Sequence, residues 1–166
     1  MKRLAIAVAL AAAVGVAGCG DDDNGNPNNP SNLTIFTVQL LPSNEVPPIT
    51  NAEQSARGTA VITINSQNNT VDFAVSLNSF PTTSTLTAAH IHGPAAAGVN
   101  ASVVVNTGLS SANAPSLSTG SATFSFTGAT GNAADTVAQI LANPQNFYFN
   151  VHTTANTGGV IRGQLR

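Results

Sequence analysis

Alternation of apolar and polar residues dominates this chain from Leu33 onward. Val71, Phe73, Val75 and Leu77 alternate with Asp72, Ala74 and Ser76, the period-two signature of a strand that buries one face. The same rhythm runs through Ala60, Ile62 and Ile64, through Ala122, Phe124 and Phe126, and through Phe147, Phe149 and Val151. Leu33–Leu41 and Ala101–Val105 are β-rich with less regular alternation, and Val160–Leu165 supplies a closing strand. Clusters of Asn, Gly and Pro near residues 65–69, 78–81, 93–94, 113–115, 128–132 and 157–159 mark the turns between them. Short strands at this spacing predict an all-β fold, an antiparallel β-sandwich of Greek-key or immunoglobulin-like type. One stretch departs from the rhythm. Val137, Ile140 and Leu141 stand at helical spacing, with Asp135 near the start and Asn143-Pro144 as a stop, which predicts one short helix over 133–142.

The N-terminus follows a different logic. Lys2 and Arg3 precede Leu4–Ala17, an apolar run of fourteen residues, shorter than the roughly 20 that an ordinary spanning helix needs. This is the layout of a secretory signal peptide, expected over 1–18. Val16-Ala17-Gly18-Cys19 resembles the lipobox of bacterial lipoproteins, in which the residue matching Cys19, the only cysteine of the chain, receives the lipid. Gly20 after it favours the outer membrane if the cell has two membranes. Asp21, Asp22 and Asp23, followed by Asn, Pro and Gly, give nothing to bury, so 19–32 reads as a lipidated tether and 33–166 as the folded domain. The expected location is therefore the cell envelope, lipid-anchored and extracytoplasmic.

Charge narrows the choice of partner. Charged residues make up 7% of the chain, against roughly 25% in an average soluble protein. Once Lys2 and Arg3 are set aside, Arg57, Arg162 and Arg166 face seven acids, which argues against nucleic acid because phosphate binding needs clustered cations. The partners that remain are the membrane, through the N-terminal lipid, and a protein or other envelope component.

The candidate chemistry lies in two short segments that hold all three histidines. On an extended strand His90 and His92 point to one face with Cα atoms about 6.6 Å apart. His152 shares a strand face with Tyr148 and Asn150, opposite Phe147, Phe149 and Val151. Three neutral imidazoles suit copper or zinc; alternatively the ring nitrogens tie down the loops at Gly93-Pro94 and after Thr153. Arg162 offers five donors on a strand, and Glu45, in the stiff Asn44-Glu45-Val46-Pro47-Pro48 segment, is its expected partner, as a structural pair or a ligand-capturing one. There is no Gly-x-Ser-x-Gly elbow, and Glu45, Glu53, Asp72 and Asp135 are the only acids outside the tether, so nucleophilic or glycosidase-type hydrolysis is not expected.

These segments carry a family resemblance. Asn44-Glu45-Val46-Pro47-Pro48, Gly58-Thr59-Ala60, Ala89-His90-Ile91-His92-Gly93-Pro94, Tyr148-Phe149-Asn150-Val151-His152-Thr153, and Gly158-Gly159 with Ile161-Arg162-Gly163-Gln164-Leu165 together resemble the CHRD domain, the chordin-type domain also found in bacterial secreted proteins. The resemblance spans essentially all of Leu33–Arg166 and implies an extracellular all-β binding or structural module with no established catalytic activity. Two departures stand out: Val160 takes the place of a glutamate common in the family, and a glycine often seen after the residue matching Asn100 is missing. His-x-His, a later histidine and Gly-Gly-x-x-Arg are also similar to Cu/Zn superoxide dismutases, likewise β-sandwiches. Those enzymes need six histidines, an aspartate and a disulfide. Three histidines exclude that two-metal site and leave a mononuclear copper or zinc centre at His90, His92 and His152 as the alternative function.

Overall fold

The computed structural model describes residues 32–166 and shows an antiparallel sandwich of two four-stranded sheets. The first sheet has the order β1 (Leu33–Leu40), β2 (Arg57–Asn65), β3 (Thr70–Asn78) and β6 (Ala122–Thr130). The second has the order β5 (Val103–Asn106), β4 (Leu86–His92), β7 (Tyr148–Thr153) and β8 (Ile161–Gln164). The expected signal peptide, Cys19 and most of the tether lie outside the described residues.

Strand alternation sets what each sheet buries. Ile62 and Ile64 of β2 and Val71, Phe73, Val75 and Leu77 of β3 face inward, meeting Ala89 and Ile91 of β4 and Phe149 and Val151 of β7. Phe73 stacks on Phe149 across the sandwich with ring centroids 5.5 Å apart. Because Ala89, Ile91, Phe149 and Val151 fill the core, their neighbours His90, His92, Tyr148, Asn150 and His152 project from the other face of the second sheet. Isolated bridges close two corners: Leu41 exchanges backbone hydrogen bonds of 3.1 and 3.2 Å with Arg162, and Val105 pairs with Gly131. Gly163 sits in the first of these seams, where a Cβ would lie 2.2 Å from the Gln39 carbonyl oxygen.

Three local expectations change. The helix α1 spans Thr136–Ala142 rather than 133–142. Before it, Ala133 N–H donates to Thr136 Oγ1 and Thr136 N–H to the Ala133 carbonyl, so 133–135 form a turn. Phe124 and Phe126 are only half-buried, because β6 is the edge of its sheet. All six residues of β7 are buried, although alternation predicts one open face. Segments outside the strands cover that face, as the next section describes.

Candidate metal centre

Strand register assembles the three histidines. His90 lies opposite Asn150, His92 opposite Tyr148, and Ala88 opposite His152, so His152 comes diagonally beside His90 on the same outer face. One ring nitrogen from each lies within 4.8 Å of the others. His90 Nδ1 and His152 Nε2 are 3.2 Å apart, and the three ring centroids are separated by 4.9, 5.5 and 5.7 Å. Metal–nitrogen bonds of roughly 2.0–2.1 Å in a tetrahedral arrangement place donor atoms about 3.3 Å apart, so one pair already stands at coordination distance.

Backbone carbonyls decide how two of the rings face. His92 Nδ1 lies 3.0 Å from the Ala101 carbonyl oxygen and His152 Nδ1 lies 3.0 Å from that of Thr157. A carbonyl only accepts, so each Nδ1 carries the proton and each Nε2 presents a lone pair. His152 Nε2 can then accept from His90 Nδ1, while His92 Nε2 is buried with no partner. Outer carbonyls that fix the tautomer are the usual support of a metal-ligating histidine. The electrostatics agree. Burial, then the neighbouring His152 and His92, push His90 down to about 4. Burial also lowers His92, with His152 and Arg162 adding to it against the Ala101 bond, and lowers His152 against the Thr157 bond. All three rings are thereby held neutral, the form a metal requires.

A second layer holds the rings in place. Tyr148 lies flat against His92, with ring centroids 4.9 Å apart and planes 2° apart, and the Arg162 guanidinium carbon sits 4.4 Å from its ring centre. The Tyr148 hydroxyl accepts from Ala101 N–H, the residue whose carbonyl holds His92. Arg162 donates through Nε to the Asn44 carbonyl at 2.6 Å and through Nη1 to Asn100 Oδ1 at 2.8 Å, and Asn100 in turn donates to the Val46 carbonyl. The 42–48 and 93–102 segments are thus fastened over the outer face, and this is why β7 has no open side.

Glu45 and Arg162 come together without touching. Both are buried, and the guanidinium lowers the Glu45 carboxyl, but burial outweighs it and pushes the group up to about 7. No hydrogen bond or ion pair joins them; Glu45 Oε1 and Arg162 Nη2 are both buried without a partner. The Asn44 carbonyl and Asn100 Oδ1 engage Nε and Nη1 of Arg162, and its Nη2 is left without a hydrogen bond. Surface recesses of about 400 and 350 Å³ flank Glu45, and none of the three histidines lines either one.

Sequence reasoning missed Glu53 as a functional support. Its buried carboxylate accepts from Ser84 Oγ at 2.5 Å, Thr153 Oγ1 at 2.7 Å and Asn156 Nδ2 at 2.5 Å. These bonds pin the turn whose Thr157 carbonyl orients His152. The partners are 31, 100 and 103 residues away, so no local pattern announces them. Asn100 is likewise legible only as a family-pattern residue.

The CHRD domain family model matches residues 36–165. No curated protein and no solved structure matches the chain.

Proposed function

Since the chain belongs to the CHRD domain family, whose pattern covers the whole described domain from residue 36 to 165, we propose that it is a lipid-anchored, extracytoplasmic CHRD module whose binding function is to hold a single copper or zinc ion. His90, His92 and His152 are the ligands, and Cys19 is the lipid attachment point. The observation that carries the metal reading is His92 Nε2, a lone pair buried without a partner beside two other imidazoles within 4.8 Å. A buried acceptor left unpaired costs about 1–3 kcal/mol. A metal ion in reach of all three nitrogens removes that cost, which a role confined to tying down loops does not. Closing the widest pair needs a contraction of up to about 1.5 Å, within reach of imidazole rotation.

The reading involves no catalytic step. Three donors from one sheet face give a site that binds and releases an ion at the envelope surface, with His90, the least buried of the three, as the entry side. Elemental analysis of the full chain after incubation with copper or zinc and desalting tests it: one ion per chain is expected, and none in His90→Ala/His92→Ala. Equal, near-zero metal in both proteins would overturn the proposal. The anchor is tested separately by labelled palmitate, which should enter the wild-type chain and not Cys19→Ala.

A further inference from the structure

We infer that the ion this site selects is copper(I), held in preference to divalent zinc. The inference rests on the metal site proposed above and concerns which ion the site takes.

Charge is the first ground. The three donors are imidazoles, which bind a metal in their neutral form, and among the described residues no carboxylate hydrogen-bonds to any of the rings; the charged group that stands behind them, Arg162 over the Tyr148 ring that stacks on His92, is a cation. The two buried acids of the domain are placed elsewhere. Glu53 is engaged by Ser84, Thr153 and Asn156, and Glu45 lies beside Arg162, lining recesses that exclude the histidines. An ion entering here therefore keeps its full charge, next to a second positive group. The cost of taking an ion out of water grows with the square of its charge, so a divalent ion meets about four times the penalty of a monovalent one.

Donor number is the second ground. Among the described residues, His90, His92 and His152 are the only group of His, Cys, Asp or Glu side chains that come together as potential ligands, and they supply three atoms. Of the other polar side chains on this face, Tyr148 is committed, its ring stacked flat on His92 and its hydroxyl accepting from Ala101 N–H, and Asn150 is turned to the 158–159 turn, packed on Gly159 with its amide donating to the Gly158 carbonyl. Zinc in protein sites is nearly always four-coordinate and would have to recruit an outside ligand. Copper(I), with a filled d shell and a single charge, is satisfied by three nitrogens in a trigonal set.

The test is a competition on the full chain in anaerobic, reducing buffer, with cuprous ion and zinc ion titrated separately and then together. Copper(I) should bind at least about tenfold more tightly than zinc, a difference of 1.4 kcal/mol. Zinc binding as tightly as copper(I), or more so, overturns this inference and leaves the metal site standing. Binding of neither overturns both. The half-buried His90 permits a second arm: His90→Asp adds a compensating negative charge and should move the preference toward zinc by about tenfold. An unchanged preference in a variant that folds, as judged by circular dichroism, overturns the charge basis.

Discussion

Replacing Glu53 with alanine should cost the fold about 2–4 kcal/mol, the balance between three lost hydrogen bonds to a charged acceptor and the relieved cost of burying it. Glu53 is 3% exposed and accepts three hydrogen bonds, from Ser84, Thr153 and Asn156. Bonds to a charged acceptor are worth about 1.5–3 kcal/mol each, so their gross value is roughly 5–9 kcal/mol. Against this stands the cost of desolvating a carboxylate, several kcal/mol, which the substitution relieves. Thr153 is fully buried and its hydroxyl proton loses its acceptor, although the oxygen still accepts from Asn156 N–H, whereas Ser84 and the Asn156 side chain are reached by water, which keeps the net loss at the middle of the span. Denaturant unfolding followed by far-UV circular dichroism measures the loss. Domains of this size hold about 5–15 kcal/mol, so the variant retains a folded baseline. In a cycle with Thr153→Val, the pair should show a coupling of about 1–3 kcal/mol. A second readout follows from the chain: Asn156, released from Glu53, precedes Thr157, whose carbonyl orients His152. Metal affinity should therefore fall by about tenfold in the same variant, as expected when an outer support of a ligand is lost. A stability change below about 1 kcal/mol would refute the claim that these three bonds pin the turn.

Gly163→Ala should destabilise by about 1–3 kcal/mol in denaturant melts, since its Cβ would press on the Gln39 carbonyl and the Val38 side chain in the seam between β1 and β8. The pH dependence of Glu45 runs opposite to that of an ordinary acid. Its folded value, about 7, lies above its ordinary 4.5, so the folded state binds the extra proton and the stability this group lends is present below 4.5 and lost as pH rises through 7. Relative to Glu45→Gln, the wild type should lose up to about 3 kcal/mol over that window in pH-resolved melts. Copper at about 100 times its dissociation constant should stabilise the wild type by about 2.7 kcal/mol, raising its melting temperature by several degrees, and leave His92→Ala unmoved.

How much of this was legible depended on sequence distance. Strands β2 and β3 could be read because each has one wet and one dry face, so burial follows the period of two. Strand β7 is read in the same way, but the burial of its second face is not, because that face is covered by segments around residues 42–48 and 93–102, held through Asn44, Asn100 and Tyr148. That His90 and His92 share a face is local geometry. That His152 meets them depends on a pairing between residues 62 apart, which periodicity does not fix. Helix α1 begins at Thr136, and the Ala133–Thr136 turn before it mimics a first helical turn. Glu45 and Arg162, expected as a pair, lie close enough for the guanidinium to lower the carboxyl, and no hydrogen bond joins them. A guanidinium with five donors is equally served by a carbonyl and an amide, and scarcity of acids says nothing about which acceptor the backbone puts nearest.

The segments that carry the family pattern share a physical task. Asn44-Glu45-Val46 cover the outer face and receive Arg162; Asn100 and Ala101 link that arginine, Tyr148 and His92; and Gly159 leaves room for Asn150, whose side chain a Cβ there would strike. Gly58 is the exception, since it serves the core, where Leu77, Ile161 and Leu40 crowd its α-carbon. Val160, in place of the glutamate common in the family, is also fully buried in that core, so the substitution exchanges a charge for packing without touching the histidines. Much of the pattern thus encodes one sheet face and its cover, with Arg162, Asn100 and Tyr148 linked to one another beside His92.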